Sequence, residues 1–284
     1  GEARAWEEGP CGGRGHVTWL DENRPWLERA AERWLPRAGA IEPLRVRAWM
    51  RSPIYWDGRT PIALDGALQH VVVRRTTGRL PDDVFNWITR DESTVADVPI
   101  PIADVEIGGV AIACSSSAWP WPDCAEGTRY RNKRARLDAM GTGKITVSGG
   151  PYKSLHIPNA VLFVPILDFF VCGDRALLEE LLVDVSGLGR DSGRGLGGVE
   201  GWQVDPDPQD RSLVCNGRPM RPLPIVTQGP YHCDGFAPES SEIRSGVLRA
   251  PYWRDWMRVP VVAPVIPVGD ETSWWADVIR SEAA

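Results

Sequence analysis

The alternation of apolar and polar residues predicts most elements of the chain's central part. Leu44–Met50 alternates apolar with basic residues, as an edge or half-exposed strand does. The run 161–171 is the most apolar and is expected at the centre of a sheet, with Pro165 marking a bulge or a break. Further strands are expected at 98–102, 105–114 and 199–204, and short helices at 64–73 and 82–88.

A helix followed by a glycine-rich loop is the most distinctive local pattern. Asp174 is a suitable N-cap for a helix over 174–183, whose leucines fall on one face. The loop, residues 187–198, follows this helix and precedes the strand at 199–204. In dinucleotide-binding folds the glycine loop instead follows a strand and opens a helix. Because the order is reversed here, the loop predicts contact with a nucleic-acid backbone rather than with a nucleotide cofactor.

The two ends of the chain have their own patterns. A helix is expected over 23–35, opened by Pro25, with Trp26, Ala30 and Trp34 on one face. That face is expected to dock on the protein's own core, and docking on a neighbour is the alternative. From residue 205 on, dense proline predicts extended chain over a surface rather than a second core. The tryptophans expected to anchor this tail are Trp253, Trp256, Trp274 and Trp275.

The order of these elements gives two βαβ-like halves, which predicts an α+β fold of the ferredoxin-like or RRM-like class. The central domain is expected at 41–230, with an insertion at about 115–153 and the glycine-rich loop at 187–198. A helical extension, 1–40, precedes it, and a Pro/Trp-rich C-terminal tail, 231–284, follows it.

Composition and charge narrow the function. The net charge of −6 excludes a protein that coats nucleic acid with its whole surface, so any such contact must be local. No apolar run approaches the ~20 residues of a membrane span and no signal peptide is evident, so we expect a cytoplasmic protein without a membrane partner. The six cysteines show no C-x-x-C pair and are interpreted as reduced thiols. No metal site and no cofactor are predicted.

A basic segment interrupts this acidic chain. Residues 129–136 carry five basic side chains and no acidic one, and Lys144 and Lys153 follow. Lysine and arginine bind phosphate with release of counterions, and Tyr130 is suited to stacking on a base. The segment therefore indicates a nucleic-acid contact; a solvated surface run is the alternative.

One cluster suggests catalysis. Tyr152, Lys153 and His156 would suit metal-independent RNA cleavage, with histidine as general acid or base and lysine stabilising the charge that develops. A structural histidine beside an apolar strand is the alternative that we favour. Since no nucleophile motif or pair of carboxylates is present, we expect a protein that is not an enzyme, with an endoribonuclease as the competing class.

Four segments together carry a family resemblance: 44–48, 61–68, 171–182 with the glycine-rich loop, and 216–224. They resemble the RAMP proteins of type IV CRISPR effector complexes, and most closely the subunit that caps the 5′ handle of the guide RNA. The resemblance covers about residues 41–226. It implies an RRM-like domain whose basic insertion is a "thumb", and partners that include the guide RNA, the backbone RAMP subunits and the large subunit. Target nucleic acid would be reached only through the guide.

The resemblance also implies roles for the loop and the thumb. Arg190, Arg194 and the loop amides would hold the handle backbone, and the thumb would clamp RNA near the first backbone subunit. The loop residues expected to bind RNA are Gly187, Gly189, Arg190, Gly193, Arg194, Gly195 and Gly197. Those expected in the thumb are Arg129, Tyr130, Arg131, Lys133, Arg134, Arg136, Lys144 and Lys153.

Overall fold

The computed structural model of the chain describes residues 19–80, 98–133, 155–250, 252, 258–269 and 274–283. Its helices in these ranges are α1 (Trp19–Trp34), α2 (Leu64–Thr77), α3 (Arg175–Leu182) and α4 (Trp274–Ala283). The strands in the same ranges are β1 (Ile41–Met50), β2 (Ile54–Tyr55), β3 (Asp104–Ile107), β4 (Val110–Ala113), β5 (Trp119–Pro120), β6 (Ala125–Lys133), β7 (Leu155–Phe163), β8 (Ile166–Asp174), β9 (Val199–Pro206), β10 (Val214–Cys215), β11 (Arg218–Pro219), β12 (Leu223–Pro224), β13 (Ser241–Gly246) and β14 (Val259–Pro264).

A four-stranded antiparallel sheet of order β5–β8–β1–β9 forms the centre of the molecule. β1 pairs with β8 on one side and with β9 on the other, so it is a central strand. Of the two predicted alternatives, the edge position is wrong, and the half-exposed strand is confirmed by the alternating burial of its residues. Its alternate residues Leu44, Val46 and Ala48 are fully buried in one core with α2 and α3. The fold is therefore a mixed one, with helices packed on an antiparallel sheet, as the α+β class requires.

The apolar run 161–171 is divided between two sheets. β7 ends at Phe163 and β8 begins at Ile166, which confirms a break at Pro165. Proline lacks the backbone N–H that a continuous ladder would need. β8 lies between β5 and β1, as its apolar character predicts. β7 instead pairs with β2 and β6 in a three-stranded sheet, and β6 and β7 form a long two-stranded ribbon.

Asp174 fixes the start of α3, as the sequence predicts. Its carboxylate accepts a hydrogen bond from the Leu177 N–H at 3.3 Å and two from the Arg37 guanidinium, at 2.6 and 2.7 Å. The hydrogen bonds from Arg37 stabilise the charged form and hold the pKa of Asp174 at about 2. This carboxylate therefore ties the segment after α1 to the first turn of α3.

Helix α1 docks on the main core. Trp26, Ala30 and Trp34 are buried there, which confirms the expected intramolecular contact. The helix begins at Trp19, however, so the prediction that Pro25 opens it is wrong. Proline costs a helix one backbone hydrogen bond, and burial of the tryptophan face outweighs that loss here.

Three further predictions need correction. The expected strand 105–114 is a hairpin of β3 and β4, because Gly108 and Gly109 both have positive φ, as a two-residue turn requires. At 98–102 the described residues contain only an isolated bridge from Ile102 to Gly173. Within the segment where an insertion is predicted, about 115–153, β5 instead pairs with β8 in the central sheet. The helix expected at 82–88 lies outside the described residues.

The C-terminal part contains a second, smaller core, so the prediction of extended surface chain is wrong. β12, β14 and β13 form a three-stranded sheet that buries apolar residues together with the β3–β4 hairpin. The apolar residues between Pro260 and Pro264 favour strand pairing. The density of prolines in the sequence pointed away from a strand here. In α4, Trp275 packs on Trp119 and Phe170, which confirms its role as an anchor. Trp253 and Trp256 lie outside the described residues.

A buried polar cluster joins the two cores. The Tyr252 hydroxyl donates to Asp65 on α2 at 2.5 Å, and Arg221 donates to the Tyr252 oxygen at 2.9 Å. Arg221 also donates to the carbonyls of Ala113 and Ser115. Burial raises the pKa of Tyr252 well above its ordinary value, so its hydroxyl stays a donor at neutral pH.

Candidate nucleic-acid interface

The glycine-rich loop is folded onto the connection between β1 and β2. Gly197 donates its N–H to the Pro53 carbonyl at 2.7 Å, and Leu188 donates to the Gly197 carbonyl at 2.8 Å. Leu188 and Leu196 are buried and anchor the two sides of the loop. The loop amides that donate within the chain are those of Leu188, Arg194, Gly195, Leu196, Gly197 and Gly198. These six amides are therefore already used to hold the shape of the loop.

Glycine is required at particular loop positions. Gly189, Gly195 and Gly197 have φ values of 69°, 82° and 61°, a region that residues with a Cβ avoid. A Cβ at Gly197 would also overlap the Leu188 carbonyl oxygen. Gly193, in contrast, has open space around its Cβ position. The loop shape therefore depends on some of its glycines and not on others.

The two loop arginines are held differently. Arg194 donates to Asp191 at 2.6 Å, and its side chain is 64% exposed. The guanidinium of Arg190 lies 5.2 Å from the centroid of the Tyr55 ring on β2. Within the part of the chain that the structure describes, Arg190 has no carboxylate partner. A guanidinium stacked on a ring keeps its in-plane N–H groups available for an anion.

The basic strand β6 meets this loop. The Arg129 guanidinium donates to the Gly195 carbonyl at 3.0 Å, and Arg131 lies 3.7 Å from Asp191. The loop and β6, predicted from separate stretches of sequence to bind RNA, thus form one cationic surface. Asp191 neutralises part of it, because Arg131 and Arg194 share that carboxylate.

Two residues of this surface were not predicted from the sequence. Arg51 donates its backbone N–H to the Gly198 carbonyl at 2.8 Å, and its guanidinium lies beside Gly198. Tyr55 supports Arg190 from below. Arg51 lies in the connection after β1 and Tyr55 in the two-residue strand β2, and neither has a local signal for contact with a loop far along the chain. The periodicity of β1 predicts the strand but not the contact of the residues after it with the loop.

The remaining thumb residues are placed in part. Tyr130 is exposed on β6 and stacks on His156 of β7, with ring centroids 4.3 Å apart. Lys133 ends β6, and its backbone pairs with Leu155. The predicted binding residues Arg134, Arg136, Lys144 and Lys153, and Tyr152 of the catalytic alternative, lie outside the described residues.

The sheet face opposite α2 and α3 carries a buried charge cluster. Asp168 on β8 is fully buried and accepts hydrogen bonds from Arg45 at 2.6 Å, Arg47 at 3.0 Å and the Trp121 indole at 2.7 Å. Arg47 also stacks on Trp121, at 4.7 Å from the ring centroid. A carboxylate shared by two arginines holds both guanidinium groups on the sheet.

The same face is closed around Phe170. Arg211 covers the Phe170 ring at 4.3 Å, and Trp275 of α4 packs against it edge-on. Many RRM domains bind RNA by stacking bases on aromatic residues of this sheet face. Because Phe170 is only 1% exposed, it offers no such platform. The loop and the β6–β7 ribbon are therefore the better candidate surface.

Other kinds of site have little support in the described residues. Among the described residues, no three His, Cys, Asp or Glu side chains group as metal ligands would. Among the described cysteines, Cys114, Cys124 and Cys172 are reduced thiols. In the ranges that the structure covers, none of the helices is both long and apolar enough to cross a membrane.

Comparison with known proteins identifies the family. The family model described as CRISPR type IV associated protein Csf3 matches residues 123–264, which is half of the chain. The match contains the described part of the β6–β7 ribbon and the whole glycine-rich loop. No curated protein matches the chain. On the strength of the family match, the chain belongs to the Csf3 family of CRISPR type IV associated proteins.

Proposed function

We propose that this chain is a non-catalytic subunit of a type IV CRISPR ribonucleoprotein that binds the 5′ handle of the guide RNA. The observation that carries the proposal is the meeting of the glycine-rich loop with β6, where Arg129 contacts Gly195 and Arg131 approaches Asp191. A local cationic surface on a chain of net charge −6 suits a partner with a regularly charged backbone.

The strand order supports a ferredoxin-like, RRM-like RAMP domain as the framework. Along the chain the elements run β1, α2, β5, β8, α3, β9, and in the sheet the order is β5–β8–β1–β9. This is the succession of a β-α-β-β-α-β unit. The β6–β7 ribbon is an insertion between its second and third strands, where the thumb was predicted.

The proposed mechanism is positional. Arg190 and Arg194 bind phosphates of the handle, and the exposed part of β6 guides the RNA away from the loop. With the 5′ end fixed, backbone RAMP subunits assemble along the guide from this protein, and the large subunit joins the same complex. Target recognition is left to base pairing with the guide.

A salt titration tests the phosphate contacts. The double variant Arg190→Ala/Arg194→Ala should bind single-stranded handle RNA more weakly. The plot of the logarithm of the binding constant against the logarithm of the salt concentration should become less steep by about 1.4, since each lost phosphate contact on a single strand contributes about 0.7 to the slope. The matched control, Arg175→Ala/Arg280→Ala, removes two exposed arginines that pair with acidic neighbours on α3 and α4. An unchanged slope in the loop variant, or an equal fall in the control, would overturn the assignment.

A further inference from the structure

We infer that Tyr130 and His156 form a platform on which one unpaired nucleobase of the bound RNA stacks. The inference rests on the proposed function, because it names the part of the RNA that this ribbon receives. It adds His156 as a binding residue in place of a catalytic one.

The two rings are already arranged as a stack. Their centroids are 4.3 Å apart and their planes differ by 11°. Tyr130 pairs across the ribbon with Pro158, and Asn132 pairs with His156, so the two rings are diagonal neighbours on one face. Tyr130 is 56% exposed, and His156 is exposed as well. Core packing does not explain this arrangement, because a buried aromatic pair would hide its faces from water.

The platform and the cationic surface lie on opposite faces of β6. Successive residues of a strand point to opposite faces, so Arg129 and Arg131 face the glycine-rich loop while Tyr130 faces away from it. β6 is the outer strand in the order β2–β7–β6. An RNA strand that crosses the β6 edge can therefore leave its phosphates on the arginine side and place a base on the tyrosine side.

This geometry selects an unpaired base. A base in a duplex is stacked on its neighbours and cannot reach a protein ring without leaving the helix. Aromatic stacking tolerates every base, because each has a π face. The platform thus favours single-stranded RNA over the same sequence in a duplex, with little preference among bases.

A fluorescence scan tests the platform in the full-length chain. Handle RNA of the cognate repeat is prepared with 2-aminopurine at one position at a time, because stacking quenches this base. One position should be quenched by the wild type and by Tyr130→Phe, and released in Tyr130→Leu and in His156→Leu. Tyr130→Leu should lower the affinity by about 5- to 150-fold relative to Tyr130→Phe. The handle annealed to its complement should bind more weakly than the single strand.

The outcomes separate this inference from the proposed function. If the wild type binds the handle with a steep salt dependence, but Tyr130→Leu and Tyr130→Phe bind equally and quench alike, the platform is wrong while the phosphate contacts stand. If the wild type does not bind the handle at all, both fail. Quenching that persists in His156→Leu but is lost in Tyr130→Leu would remove His156 from the platform and contradict the inference as stated.

Discussion

Replacing Gly197 with alanine is expected to force apart the two sides of the glycine-rich loop. Gly197 has a φ of 61°, and an alanine Cβ there would overlap the backbone oxygen of Leu188. A backbone oxygen cannot move aside as the end of a flexible side chain can. The clash must therefore separate the two sides of the loop at the bridge between Gly187 and Gly198.

The size of the effect follows from these contacts. The left-handed conformation costs alanine roughly 1–2 kcal/mol. Separation of the loop also breaks the hydrogen bonds from Leu188 to Gly197 and from Gly197 to Pro53, each contributing about 0.5–1.5 kcal/mol. The free energy of unfolding should therefore fall by about 2–5 kcal/mol. RNA binding should weaken as well, since Arg190 and Arg194 depend on the loop shape.

The matched control is Gly193→Ala in the same loop. Gly193 has no atom within 4 Å of its Cβ position and no left-handed φ, so alanine should change the free energy of unfolding by less than about 1 kcal/mol. Urea unfolding and an RNA gel-shift assay measure both variants. The reasoning is refuted if Gly197→Ala is as stable as the wild type, or if Gly193→Ala loses as much.

Two carboxylates give further predictions. Asp174→Ala should be about 1 kcal/mol less stable than Asp174→Asn, which keeps a side-chain cap for α3. The pKa of Asp174 falls from about 3.9 in the unfolded chain to about 2 in the folded protein. The ionised carboxylate therefore makes its whole contribution to the free energy of unfolding above pH ~4, and this contribution is lost as the pH falls through ~2. Urea unfolding of the wild type and Asp174→Asn should converge over that range, and a constant difference would argue against the pair with Arg37. Asp168→Asn removes the buried carboxylate that Arg45 and Arg47 share. In the same assay the free energy of unfolding should fall by about 3–5 kcal/mol. A decrease below about 1 kcal/mol would contradict a structural role for Asp168.

The elements with a strong local signal were predictable. Asp174 followed by a leucine-rich face predicted α3, and the placement of Pro165 predicted the break between β7 and β8. Elements whose local sequence signals conflict were not predictable. Gly108 and Gly109 looked like part of a strand, but their positive φ values make a hairpin. The prolines around β14 concealed a strand that is stabilised by pairing with distant segments.

Most residues of the candidate site have a local sequence signal, but the way they come together has none. The glycine-rich loop and the basic strand each have a local pattern, so Arg190 and Arg129 were both expected to bind RNA. Their union rests on a contact between Arg129 and Gly195, which are far apart in the chain. Arg51 joins the surface only because β1 ends beside Gly198. Such tertiary contacts leave no periodic trace in a single sequence.

One measurement tests the central claim most directly. The purified chain is incubated with labelled RNA of the cognate repeat in EDTA, and the products are analysed on one gel for binding to the 5′ handle and on a parallel gel for cleavage. The account predicts binding to the handle with the RNA left intact. Site-specific cleavage that is lost in His156→Ala or Lys153→Ala would contradict it and make the protein a processing ribonuclease.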